Sequence, residues 1–314
     1  MRERVRRVAA AGVAALALVV GAGCSATPGS DDGAGASTPA PTPGTGSSGG
    51  VSTPPATSTP AVHRYVALGD SYTAAPLVPK TQLHDGCLRS SGNYPSRVAR
   101  ALPGSRLVDV SCSGADTGSM TRPQRIGDAR IPPQLGALSR RTDLVTLGIG
   151  GNDLDVFGTL VGTCTRLRST DPTGSPCRDQ LGDRLRSDLP QVRDRVAGVV
   201  AAIRARAPHA RVVVVGYPQI VPAHGSCPRR LPLAAGDYPW ARLVNAGLDA
   251  AVRAGARRAD AFVDAFAATR GHDVCSARPW INGQVTEVNR ALAYHPFAAE
   301  QAAVARLVIA ALPR

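Results

Sequence analysis

Two stretches of this chain, LVTLGIG at residues 144–150 and RVVVVGYP at 211–218, are apolar at nearly every position rather than at every second one. A strand of that kind has no face to give to water, so it belongs in a parallel sheet covered on both sides. Three more short runs, Tyr65–Leu68, Arg106–Val110 and Ala261–Val263, have similar strand character. Helical stretches alternate with them, most clearly Leu181–Arg206, Trp240–Arg258 and Phe297–Leu312. The alternation predicts an α/β domain, a three-layer α/β/α sandwich around a parallel sheet. Such folds bind ligands beyond the carboxyl ends of their strands, and that is where chemistry-bearing residues are to be sought.

The sandwich does not use the whole chain. The N-terminus, MRERVRRVAAAGVAALALVVGAGC, carries four arginines and one glutamate, then an apolar run over residues 8–20. A charged start followed by an apolar run too short to span a bilayer comfortably reads as an export signal over residues 1–23; an N-terminal membrane anchor is the rival reading. The pair Arg6-Arg7 lacks the fuller context of a twin-arginine signal. Residues 25–62 are almost wholly Ser, Thr, Pro, Gly and Ala, with only Asp31 and Asp32 charged. A segment of that composition buries too little apolar surface to offset its chain entropy and is expected to remain an extended linker. Residues 63–314 are left as the folded domain, long enough for one core.

Export accounts for the cysteines, which are Cys24, Cys87, Cys112, Cys164, Cys177, Cys227 and Cys275. Cys24 closes VGAGC, which resembles the lipid-attachment box of bacterial lipoproteins, although Gly21 stands where a leucine is usual. A lipid there, with the linker behind it, would tether the domain to a membrane. The other six suit three disulfides in an oxidising compartment, and sequence alone allows fifteen pairings. Short loop closures favour Cys87–Cys112, Cys164–Cys177 and Cys227–Cys275. No Cys-x-x-Cys or clustered Cys/His spacing points to a metal site.

The net charge is +13, or +10 without residues 1–23, and it comes mostly from scattered arginines, with aromatics at 4%. Nucleic-acid binding calls for a basic patch interleaved with stacking aromatics, so that class of partner is excluded. Attraction to anionic lipid or a cell-wall polymer remains compatible with the charge.

Four segments fall at or near strand ends. The first strand stops at Gly69-Asp70-Ser71, the second run continues as VSCSGA to Gly114, the third ends in GIGGND with Asn152, and AYHPFAAEQ precedes the last helix with His295. These residue types suit acyl transfer. A serine on a sharp strand-to-helix turn exposes its hydroxyl, and a helix N-terminus favours developing negative charge. A glycine amide admits an oxyanion closely, an asparagine side chain adds an uncharged donor, and each such donor can be worth roughly 3 kcal/mol of barrier. A histidine with a pKa near ~6.5 can take the serine proton and return it to a leaving alcohol. Asp70 and Asp153 read as loop-orienting residues, and His63, His84, His209, His224 and His272 as surface residues.

ALGDSYTA, CSGA, GIGGND and HPFAAEQAA, in that order, resemble the four sequence blocks of the SGNH (GDSL) hydrolase superfamily. The cysteines and GCLRSSGNYP make the chain similar to its secreted, disulfide-containing actinobacterial esterases and lipases. The resemblance implies a flavodoxin-like five-stranded sheet and a carboxylic ester hydrolase that uses no cofactor or metal. It implies Ser71 as nucleophile, His295 as base, and the Ser71 amide, the Gly114 amide and the Asn152 side chain as oxyanion hole. It also implies an ester or lipid substrate for a protein working as a monomer. Carbohydrate O-deacetylases of the cell wall, phospholipases and acyltransferases share the fold. A catalytically silent surface binding protein is the rival from another class.

The chain departs from that pattern in two places. Many members carry an aspartate three residues before the histidine, where this chain has Leu292, and no carboxylate occupies 291–294. Some secreted actinobacterial esterases run on a Ser–His dyad with a main-chain carbonyl holding the imidazole, and by that resemblance the Leu292 carbonyl is expected to orient His295. The alternative is a carboxylate arriving from elsewhere, with Glu287 and Asp273 the nearest in sequence. The second departure is YTAAP, where the family often has glycine at position 75, and Ala75 is expected to narrow the entrance.

Overall fold

The structure is a computed structural model that describes residues 61–313. The export signal, Cys24 and nearly all of the linker lie outside the described residues. The described residues fall within one compact unit, Ala56–Arg314.

Five parallel strands form the main sheet: β1 (Arg64–Gly69), β2 (Arg106–Asp109), β5 (Leu144–Gly148), β6 (Arg211–Val215) and β7 (Ala261–Val263), in the order β2-β1-β5-β6-β7. β3 (Gln124–Ile126) and β4 (Ala129–Ile131) form a separate antiparallel ribbon. The register pairs Gly69 with Gly148, so β1 and β5 end side by side. Because side chains alternate along a strand, β1 feeds two cores. Val66 and Leu68 face one and Tyr65 and Ala67 the other, and Val212, Val214 and Val213, Val215 divide in the same way. Each fully buried aliphatic side chain contributes roughly 1.5–3 kcal/mol, which explains why the strands are apolar throughout.

Helix α1 (Ser71–Ala74) follows β1 directly, and α2 (Tyr94–Arg100) and the C-terminal α5 (Ala298–Ala310) cover the Tyr65 face. α3 (Leu189–Arg206) and α4 (Asp237–Gly255) pack on each other over the Val66 face. The expected helix over 181–206 is broken into Pro176–Leu181, Arg184–Ser187 and α3. Gly182 sits at φ 56°, which no helix continues through, and Pro190 lies in the first turn of α3, where its missing amide costs nothing.

Disulfides join Cys87 to Cys112, Cys164 to Cys177 and Cys227 to Cys275. The first links the loop after α1 to the segment that leaves β2. The third links Cys227, in the loop before α4, to Cys275, in the segment after Ala265–Ala268. No helix among the described residues is long and apolar enough to cross a membrane.

Candidate active site

β1 stops because Asp70 turns it. The Asp70 side chain accepts the Tyr72 amide at 2.8 Å, capping α1, while the Asp70 amide donates to the Gly148 carbonyl at the end of β5. Ser71 is therefore the first residue of a one-turn helix at the carboxyl edge of the sheet, 8% exposed. Its amide is one of the helix-start donors that intrahelical bonding leaves over. The end of β1 is clamped from the side by Gln134, whose amide group accepts the Gly69 N–H and donates to the Gly69 carbonyl, both at 2.8 Å.

Gly114 is brought to the same edge by the chain leaving β2. The Cys112 amide donates to the Gly69 carbonyl and the Ser113 amide to the Cys87 carbonyl, so the disulfide and two backbone bonds hold the segment against β1. Gly114 has φ 76°, which favours glycine, and it is exposed. The Asn152 side chain lies beside this segment, donating one amide hydrogen to the Ala115 carbonyl at 2.8 Å and keeping its second available. Asp153, fully buried, accepts the amide and hydroxyl of Thr117 and a 2.9 Å bond from Arg195, locking the Gly114 and Asn152 loops together.

A second clamp works from below. The Gly151 amide donates to the Tyr217 hydroxyl at 2.7 Å, and that hydroxyl donates to Asp70. A Cβ at Gly151 would lie 2.9 Å from the Tyr217 ring, so only glycine permits this approach. One buried carboxylate thus connects the turn bearing Ser71 with the loop bearing Asn152. Burial pushes Asp70 up to about 7, against the opposing effect of the Tyr217 and Tyr72 bonds.

His295 reaches the site from the loop before α5. Its backbone carbonyl accepts from Asn282, and Tyr294 donates to the Gly283 carbonyl, so the loop pairs with residues 281–283. Tyr294 takes a left-handed conformation, φ 61°, which turns the ring toward α1. The Tyr72 hydroxyl donates to the Tyr294 carbonyl at 2.6 Å, and the Tyr72 and His295 rings lie 5.3 Å apart. Phe157 stands edge-on to both. Among the described residues the Ser71 hydroxyl and the His295 ring share no direct hydrogen bond; the His295 loop meets the Ser71 turn through the neighbouring Tyr72.

The carbonyl that holds the imidazole is not that of Leu292. His295 Nδ1 lies 2.8 Å from the Ala293 carbonyl oxygen. The Leu292 carbonyl is occupied by the His295 amide and by the Asn282 side chain, which close the turn and aim it away from the ring. The left-handed Tyr294 brings the Ala293 carbonyl round in its place. Neither alternative carboxylate reaches the ring. Glu287 pairs with Arg290, and Asp273 caps the Cys275 amide. With Nδ1 donating to a carbonyl, Nε2 is the free acceptor of the neutral ring. Burial lowers the His295 pKa and the carbonyl bond opposes that.

Ala75 is fully buried at the end of α1, so it does not narrow the entrance. Its φ of 51° shows why glycine suits the position: a left-handed alanine carries roughly 1 kcal/mol of backbone strain. Four residues given no role by the sequence also build the site: Tyr72 and Gln301, inside the first and last blocks, and Gln134 and Tyr217, outside all four. Gln301 accepts the Tyr94 amide at 2.6 Å and donates to the Tyr72 carbonyl at 3.0 Å, tying α5 and α2 to α1. Membership of the ALGDSYTA and HPFAAEQAA blocks was the signal that could have drawn attention to Tyr72 and Gln301; Gln134 and Tyr217 have none.

Residues 67–302 match the GDSL-like lipase/acylhydrolase family. Lipase 2 of Streptomyces coelicolor is 44% identical over 236 residues, covering 71% of this chain and 76% of that protein. The extracellular lipase of Streptomyces rimosus superposes with a TM-score of 0.66 at 30% identity, over 79% of this chain and 99% of that one. Phospholipase A1 of Streptomyces albidoflavus gives a TM-score of 0.64 at 29% identity, over 81% and 100%. The chain belongs to the GDSL-like lipase/acylhydrolase family and is a carboxylic ester hydrolase of that type.

Proposed function

We propose that this protein is an exported lipase or esterase that cleaves carboxylic esters such as acylglycerols through a Ser71–His295 dyad. The observation that carries the reading is the Ala293 carbonyl at His295 Nδ1, which leaves Nε2 as an acceptor on the ring held beside the Ser71 turn. His295 Nε2 takes the proton from Ser71 as its oxygen attacks the ester carbonyl. The charge that develops on the carbonyl oxygen falls to the Ser71 and Gly114 amides and the free Asn152 hydrogen. His295 passes its proton to the leaving alcohol, then activates water against the acyl-serine, regenerating the hydroxyl and releasing the acid. Ala293 gives the imidazolium less stabilisation than a carboxylate would, and compensates by fixing tautomer and direction.

The test is hydrolysis of p-nitrophenyl esters from acetate to palmitate by residues 56–314. Ser71→Ala and His295→Ala should each lower kcat by about 10⁴-fold or more, and Asn152→Ala by about 10²–10³-fold. The double variant Glu287→Ala/Asp273→Ala should keep most of its turnover. Loss of turnover there, with the fold intact, would remove the dyad in favour of a triad. The extracellular lipase among the relatives supports export. Cys24 is proposed as the lipid-attachment point, a reading sunk if fatty-acid labelling of the full chain survives Cys24→Ser.

A further inference from the structure

Among the described residues, five large apolar side chains stand well exposed: Leu83, Leu243, Val285, Val288 and Leu307. Two of them, Val285 at 68% and Val288 at 74%, lie on one loop of residues 284–290. That loop is the continuation of the segment paired with the His295 loop, through Asn282 to His295, Tyr294 to Gly283 and the bridge between Glu287 and Ala291. Leu83, 71% exposed, sits on the loop that the Cys87–Cys112 disulfide fastens to the Gly114 segment. The most exposed aliphatic groups therefore ride on the two loops anchored directly to the candidate catalytic elements.

Cations surround the first of these loops. Arg229 and Arg230 pack against it, their carbonyls accepting the Gln284 side chain at 2.9 Å and the Gln284 amide at 2.8 Å. Together with Val285 and Arg290 they line a cleft of about 290 Å³ that runs to Phe297. Arg290 pairs with Glu287, but among the described residues Arg229 and Arg230 have no acidic partner, and both are exposed. Water gains nothing from two valines raised on a loop tip, and unpaired arginines on the same rim favour an anionic phase. Charge alone would fit a polyanion equally well; the protruding valines fit an interface with an apolar side.

We infer that the 284–290 loop with Arg229, and Leu83 as a second point, is the surface by which the protein docks onto an anionic lipid layer. This inference rests on the lipase reading and deepens it: the substrate is drawn from a lipid aggregate, with His295 carried at the root of the docking loop. Arg229 would meet lipid phosphates while Val285 and Val288 enter the headgroup boundary.

The experiment uses residues 56–314 carrying Ser71→Ala, so that binding is read without turnover. Sedimentation with phosphatidylglycerol vesicles and with phosphatidylcholine vesicles should show at least about tenfold preference for the former, weakening as salt is raised. Adding Val285→Ser, Val288→Ser and Arg229→Glu should reduce phosphatidylglycerol binding about tenfold or more. The same three substitutions with Ser71 intact should leave hydrolysis of soluble p-nitrophenyl acetate unchanged while lowering hydrolysis of vesicle-borne ester. Leu83→Ser alone should give a smaller loss of binding. Equal binding to both vesicle types, unaltered binding by the triple variant, or capture by peptidoglycan instead of vesicles would each overturn the docking surface. An equal fall on the soluble ester would also overturn it, because the loop would then be supporting His295 itself. Failure of the lipase reading would show separately, as an intact-Ser71 protein that binds vesicles and cleaves no ester.

Discussion

In the proposed dyad the chemistry turns on one backbone oxygen. Because the Ala293 carbonyl holds His295 Nδ1, no titrating carboxylate contacts the imidazole, and the ring's own ionisation governs the acid side of the activity profile. Burial moves that ionisation below the ordinary imidazole value of 6.5. In the proposed dyad the base form is the active one, so kcat/KM on a soluble ester should rise with pH to a plateau, with its midpoint below 6.5. A midpoint above that value would mean that a carboxylate stabilises the imidazolium after all. The sequence exposes the absence of an aspartate at position 292, yet it does not choose between the carbonyls at 292 and 293. That choice follows from the left-handed turn at Tyr294, a conformation that a tyrosine does not advertise.

Elements at the carboxyl edge are held by side chains that reach across long chain separations. Tyr217, after β6, bridges Asp70 after β1 to Gly151 after β5. Tyr217→Phe strands the buried Gly151 amide and should cost about 1–3 kcal/mol of stability. It should also lower kcat about tenfold by loosening the Asn152 loop, with KM little changed. Denaturant melts and steady-state kinetics on one preparation check both halves. If stability falls and kcat does not, the clamp is structural and Asn152 is positioned by Asp153 alone. The blocks containing Ser71, Gly114, Asn152 and His295 were legible because each pairs its functional residue with glycine or with another turn former in adjacent positions. Tyr217 and Gln134 have no such local signature, since their partners lie in other elements.

Among the described residues four carboxyls, Asp70, Asp109, Asp249 and Glu300, sit in surroundings that oppose their ionisation. Desolvation raises Asp70 to about 7, Asp249 to about 7 and Glu300 to about 8, against ordinary values of 3.8, 3.8 and 4.5. A carboxyl raised on folding holds its proton more tightly in the native state, so its contribution to stability is complete at low pH. The contribution fades as pH climbs from the ordinary carboxylate value to the raised one. Glu300 is 3% exposed and accepts from Gln301. Glu300→Gln retains an acceptor without a proton to lose, so the variant's Tm should fall less than the wild type's between pH 6 and pH 9. Parallel Tm profiles would mean that Glu300 ionises without cost, through water reaching it in solution.

The alternation of two-sided apolar strands with helices determined a covered parallel sheet, because a strand with no polar face has no other stable placement. The ordered turn motifs determined which strand ends carry the site, since a sharp exit from a strand needs small or capping residues next to one another in the chain. Tertiary structure alone decided the His295 support and the two clamps beneath Ser71. It also set the exposed Val285 and Val288, beside Arg229, on the loop that continues the segment paired with the His295 loop. Those arrangements depend on through-space contacts between residues dozens of positions apart, and on single left-handed backbone turns that local composition does not specify.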